Sequence, residues 1–147
     1  MCGYTGHEFG ARYPDSICID GFLWDADSGD DDGLTHGGDW ACPRCNTARF
    51  IEDAAEEYST GSCGTSMGYS WVEAEQFERV VAKAHAENPD ETARVIPTIA
   101  PFQSSDWPDR QAVRDRRAPW DDTIEVTVDP VAILAALRST HPTGADQ

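Results

Sequence analysis

The chain has 147 residues, enough for one domain, and only 39% of them are hydrophobic, which predicts a modest core. Its 27 acidic residues against 11 basic ones give a formal net charge of −16, which disfavours broad binding to nucleic-acid phosphates. No apolar run approaches the roughly 20 residues of a membrane span, and the N-terminus lacks a secretory signal, so we expect a cytoplasmic protein with reduced cysteines.

Residues 1–49 are predicted to form a module of short strands and loops, because they are rich in Gly, Asp, Cys and aromatic residues and show little helical periodicity. Residues 17–24 indicate a strand or one arm of a hairpin that ends in a Gly- and Asp-rich loop. From Asp15 to Asp39 there are eight aspartates and no Lys or Arg. The module therefore carries an uninterrupted acidic loop.

Residues 50–140 are predicted to be a helical and mixed region that packs on this module. Ser70 and Glu73 match a capping box at the start of one helix, and Pro89 suits the first position of the next. Alternation over residues 124–128 predicts a strand. Caps and apolar stripes predict further helices at 46–60, at 108–117 and from Asp129 onwards. Residues 141–147 are predicted to be a disordered tail, and the fold class is α+β.

The only basic patch is expected on the helix at 108–117, where Arg110, Arg114 and Arg117 share one face. In so acidic a chain these arginines are expected to pair with the protein's own carboxylates, although they could also contact phosphate. Trp107 and Trp120 flank this helix, and both are expected in the core.

Cys42 and Cys45 form a Cys-Pro-x-Cys turn that is typical of half a structural zinc site. Two thiolates at this spacing fit one edge of the tetrahedron of zinc, and the amides after the first cysteine can hydrogen-bond its sulfur. A complete site needs two more ligands. The candidates are Cys2, His7, Cys18, His36 and Cys63.

Residues 2–9 resemble the first knuckle of a zinc ribbon, with Thr5 in the place of that family's second cysteine, and residues 42–46 resemble the second knuckle. Residues 13–47 are also similar to small zinc-knuckle proteins carried by phages and prophages. The metal ligands that we predict are Cys2, Cys18, Cys42 and Cys45, with His7 or His36 as substitutes. The fold expected is a zinc-pinned N-terminal module of short strands and loops packed with several α-helices.

Two other interpretations of the cysteines stay open. Unmetallated cysteines can pack as small hydrophobic residues. The turn at residues 40–45, followed by a helix, is also similar to the active site of thioredoxins and glutaredoxins, where the first cysteine is the nucleophile. Residues 95–98 resemble the cis-proline turn of that family, but no strong buried strand is expected before Cys42 or after Pro97.

Three functions follow from these patterns. The first is a non-enzymatic, acidic, zinc-binding interaction protein that engages a basic protein surface, in the extreme a phage-type inhibitor that mimics the charge of a nucleic acid. The second is a zinc-ribbon nucleic-acid-binding protein that uses the arginine helix. The third is a thiol oxidoreductase that uses Cys42 and Cys45.

Overall fold

The computed structural model describes residues 2–59 and 72–140, which contain both strands and helices and confirm the α+β class. The strands are β1 (Thr5–Gly6), β2 (Ser16–Ile19), β3 (Phe22–Asp25), β4 (Gly29–Asp30), β5 (Gly33–Leu34), β6 (Gly37–Ala41), β7 (Phe102–Asp106) and β8 (Ile124–Val128). The helices are α1 (Thr47–Tyr58), α2 (Glu73–Glu87), α3 (Pro89–Val95), α4 (Arg110–Arg114) and α5 (Pro130–Thr140). None of these helices is both long and apolar enough to cross a membrane.

A four-stranded antiparallel sheet forms the N-terminal part, with the strand order β1-β2-β3-β6. Residues 17–24 lie on both arms of a hairpin, β2 and β3, joined by the two-residue turn Asp20-Gly21. Both turn residues have positive φ, 53° and 89°. An Asp-Gly pair adopts this conformation at low cost, and the resulting turn matches the twist of the two strands.

Strand β6 returns along β3 after a shift of register at Leu23 and Trp24. Gly37 and Gly38 lie at this irregularity, with φ of 124° and 86°. A Cβ on Gly38 would lie 2.6 Å from the Trp24 ring, so only glycine lets β6 approach that ring closely. The acidic loop between β3 and β6 contains the small hairpin β4–β5.

The larger hydrophobic core lies in the helical part, where α1, α2, α3 and α5 pack with the two-stranded sheet of β7 and β8. The alternation at residues 124–128 predicts β8 correctly, whereas no sequence pattern predicts its partner β7. The fully buried hydrophobic residues of this core include Ile51, Phe77, Val81, Ala84, Val95 and Ile96.

Two helices differ from their prediction. Helix α2 begins at Glu73 with Val72 at its N-cap, so Glu73 is not the third residue of the helix, and Ser70 lies outside the described residues. Helix α4 has only five residues, because Asp109 caps its start and Arg116, with φ of 61°, turns the chain away. The boundary predicted after residue 49 lies within the first turn of α1, and residues 141–147 lie outside the described residues.

A mostly buried carboxylate, Glu8, joins the N-terminal sheet to α2. Glu8 accepts hydrogen bonds from the Tyr4 hydroxyl, from Ser16 Oγ at 2.5 Å and from Lys83 Nζ at 2.8 Å. A second ion pair, Arg44 Nη2 to Glu87 Oε1 at 2.8 Å, lies at the C-terminal end of α2. The turn that carries Cys42 and Cys45 is therefore held against α2 by polar contacts.

Candidate metal centre

Four cysteines from three places in the chain converge in the N-terminal part. Cys2 precedes β1, Cys18 lies in β2, and Cys42 and Cys45 lie in the turn between β6 and α1. Cys18 and Cys42 are buried, Cys2 is half-buried and Cys45 is exposed. The structure thus brings together the four cysteines predicted as ligands, and their binding of a metal stays a prediction.

Hydrogen bonds hold the Cys42–Cys45 turn next to the β2–β3 hairpin. The Cys42 amide and Asn46 Nδ2 both donate to Gly21 O, at 2.8 and 3.0 Å, so one carbonyl fixes both ends of the turn. The Thr47 hydroxyl donates to Pro43 O at 2.7 Å and closes the turn from the side of α1. These contacts place the cysteine pair beside Cys18, although the hairpin and the acidic loop separate them in the sequence.

The sulfur positions match a tetrahedral metal site. The four Sγ atoms all lie within 4.8 Å of one another, with Cys2 to Cys42 at 3.7 Å and Cys18 to Cys45 at 3.5 Å. A tetrahedron of sulfurs about 2.3 Å from a zinc ion has edges of roughly 3.8 Å. The cluster could therefore hold a metal ion with little rearrangement, and its four sulfur donors are consistent with zinc.

The thiols affect one another's ionisation. Burial raises the pKa of Cys42 to about 11, although the backbone N–H groups of Cys45 and Arg44 act in the opposite direction. Burial, and then the neighbouring cysteines, also raise the pKa of Cys45. Burial opposes ionisation of Cys2 as well, but the backbone of Tyr4 and the other three thiols lower its pKa to about 7. A divalent cation would supply the charge that lets all four ligate as thiolates.

One side of the cluster faces an open cavity of about 520 Å³. It is lined by Cys2, Cys18, Asp20, Gly21, Cys45 and Asn46. Cys42 does not line this cavity, and it packs with the buried Tyr4 and Leu23. A metal bound here would be reached by solvent and chelators from the side of Cys45.

The other predicted ligands do not join the cluster. His7 and His36 are exposed, and His36 Nδ1 lies 3.6 Å from Asp25 Oδ2, so neither replaces a cysteine in the group that the described residues form. Cys63 lies outside the described residues. Thr5, in the place of the zinc ribbon's second cysteine, is an exposed residue of β1 that pairs with Ile17.

The arginines of α4 are occupied by the protein's own carboxylates. Arg110 Nη2 lies 2.5 Å from Glu78 Oε2 and 2.8 Å from Asp106 Oδ2, and Arg114 pairs with Glu75. Trp107 is buried as expected, but Trp120 is 57% exposed, so its predicted core role is wrong. The indole N–H of Trp107 donates to the backbone oxygen of Trp120, at 2.6 Å.

Sequence reasoning did not find the groups that support the cluster. Gly21 and Asn46 fix the cysteine turn, and Glu8 ties the module to α2. The Asp20-Gly21 pair was the available signal, because Asp-Gly between apolar runs indicates a tight hairpin.

Comparisons with protein-family models, curated proteins and solved structures found no significant match for this chain.

Proposed function

We propose that this chain is a zinc-stabilised, non-enzymatic interaction protein that presents an acidic surface to a basic protein. The observation that carries the proposal is the convergence of four cysteine sulfurs within 4.8 Å. Four thiolates would fill the coordination sphere of zinc and leave no position for a catalytic water, so the metal would shape the module. Cys2, Cys18, Cys42 and Cys45 would be its ligands.

The surface offered to the partner is the acidic loop between β3 and β6. Asp30, Asp31 and Asp32 lie at the tip of the β4–β5 hairpin and are exposed. The amides of Thr35 and His36 donate to Ser28 Oγ at 3.2 and 3.1 Å, which closes the base of the hairpin. Within residues 2–59 and 72–140, no Lys or Arg forms an ion pair with these three aspartates.

Carboxylates held at fixed positions can substitute for a row of phosphates. A basic protein that binds nucleic acid would then be the partner, and blocking its nucleic-acid site would be the activity of a phage-type inhibitor. The ion pairs of Arg110 and Arg114 reduce the support for direct nucleic-acid binding. The complete burial of Cys42 reduces the support for a thiol oxidoreductase, whose nucleophile must be accessible.

A binding experiment with a nona-arginine peptide tests the acidic surface. The variant Asp30→Asn/Asp31→Asn/Asp32→Asn is compared with Glu52→Gln/Asp53→Asn/Glu56→Gln, which removes the same charge from the exposed side of α1. We expect the hairpin variant to lose about tenfold in affinity at low salt and the α1 variant to lose about twofold. Equal losses in both variants, or no binding by the unmodified chain, would refute the proposal.

A further inference from the structure

An aromatic pair beside the acidic loop joins the exposed Trp40 to the half-buried Phe9. Trp40 is 53% exposed, and its ring stacks on Phe9 with centroids 5.3 Å apart and an interplanar angle of 23°. Phe9 covers one face of the indole, and Trp40 still exposes about half of its surface to solvent. Trp40 is two residues from Cys42, so its strand leads directly into the proposed metal site.

The pair is held in place by buried groups. Asp15 is 1% exposed and accepts from the amides of Phe9 at 3.2 Å and Ala11 at 2.8 Å, which fixes the loop that carries Phe9. Leu23, also buried, lies directly opposite Trp40 in the β3–β6 ladder. A preorganised aromatic surface loses little entropy when a ligand binds it.

The acidic loop is connected to this aromatic pair. The His36 ring meets Phe9 edge-on, with centroids 5.4 Å apart, and His36 Nδ1 lies 3.6 Å from Asp25 Oδ2. In the described part of the chain, the cations that lie over aromatic rings are on Tyr4 and Phe22, and none lies over Trp40. An aromatic face in an acidic module suits a cation.

We propose that the Phe9–Trp40 pair binds the guanidinium group of an arginine side chain of the basic partner. This inference rests on the proposed function and names its central contact. Guanidinium is planar and weakly hydrated and stacks on aromatic faces, whereas the ammonium of lysine is compact and strongly hydrated. A nucleic-acid base could also stack on Trp40, but the eight aspartates from Asp15 to Asp39 would repel its phosphates.

The test compares nona-arginine and nona-lysine peptides by calorimetry at low salt. We expect the unmodified chain to prefer the arginine peptide, and Trp40→Ala to weaken its binding by roughly 3- to 30-fold and remove that preference. The matched control is Trp120→Ala, which removes a ring of similar exposure outside the acidic module and should change neither affinity by more than about twofold. Trp40→Phe keeps an aromatic ring and should retain part of the preference for the arginine peptide. It tests the aromatic contact independently if the alanine variant misfolds.

The contrary outcomes show whether the aromatic site alone fails or whether the proposed function fails with it. If both peptides bind but Trp40→Ala binds them like the unmodified chain, the aromatic site is wrong and the acidic surface stands. If neither peptide binds the unmodified chain, both are wrong. If the unmodified chain binds a single-stranded oligonucleotide and Trp40→Ala abolishes that binding, the ligand of the aromatic pair is a nucleic-acid base and not an arginine, and the inference is wrong.

Discussion

Replacement of Lys83 by methionine tests how the N-terminal module is joined to α2. Lys83 Nζ donates to Glu8 Oε1 at 2.8 Å, and the Glu8 side chain is only 13% exposed, so the variant leaves a mostly buried carboxylate without its cation. A hydrogen bond to a charged group contributes about 1.5–3 kcal/mol. Because the Lys83 side chain is 39% exposed, we expect the lower end, about 1.5 kcal/mol. That corresponds to a fall in melting temperature of roughly 3–6 °C.

The loss of stability in Lys83→Met should depend on pH. Burial alone would raise the pKa of Glu8, but Lys83, Ser16 and Tyr4 together hold it below its usual value. A carboxyl group whose pKa is lowered in the folded state stabilises that state at pH values above its pKa in the unfolded chain, about 4.3. This stabilisation is lost as the pH falls through the pKa of the folded state. The difference between Lys83→Met and the unmodified chain should therefore be largest near pH 7 and shrink below about pH 4.

Urea unfolding followed by circular dichroism, with zinc in excess, measures this difference without screening the charges. Arg49→Met is the matched control, because the Arg49–Asp53 pair is exposed on both sides, and this pair together with the contact of Arg49 over the Phe22 ring should contribute less than about 1 kcal/mol. If Lys83→Met loses no more stability than Arg49→Met, or if its loss of stability is independent of pH, Glu8 does not join the N-terminal module to α2 as described.

Three further changes test other parts of the structure. Gly38→Ala should lower stability by about 2 kcal/mol or more in urea unfolding, since its Cβ would meet the Trp24 ring at 2.6 Å and its φ is 86°. Arg110→Met should lower the free energy of unfolding by about 2 kcal/mol, because Arg110 loses its two carboxylate partners. The same variant should show no change in DNA binding in a gel-shift assay. Cys45→Ser should lower the zinc content of the purified chain, whereas Cys63→Ser should leave it unchanged.

The cysteine turn could be predicted because its geometry is local. A Cys-Pro-x-Cys spacing brings Cys42 and Cys45 together whatever the rest of the chain does. The approach of Cys2 depends instead on the pairing of β1 with β2, and the approach of Cys18 to the turn depends on the pairing of β3 with β6, and both pairings join residues that are well separated in the sequence. The sequence patterns therefore predict which cysteines converge, but they do not predict which strands position them.

The errors in the helical part have the same origin. Strand β7 has no alternating pattern, and its place is set by pairing with β8 and by the Ser104 hydroxyl, which donates to Tyr58 O at 2.5 Å. The arginine periodicity at 108–117 suggested a long helix, but the chain turns at Arg116 once Arg110 and Arg114 have reached their carboxylates. Tertiary contacts outweigh local propensity at both places.

Metal analysis of the purified chain, combined with thiol titration before and after chelation, shows whether the four clustered cysteines hold a metal ion. We expect one zinc ion per chain, four of the five cysteines protected before chelation and all five reactive after it. Iron in place of zinc would keep the site and change its metal. Five reactive thiols before chelation, with no bound metal, would show that the four cysteines are not a metal site.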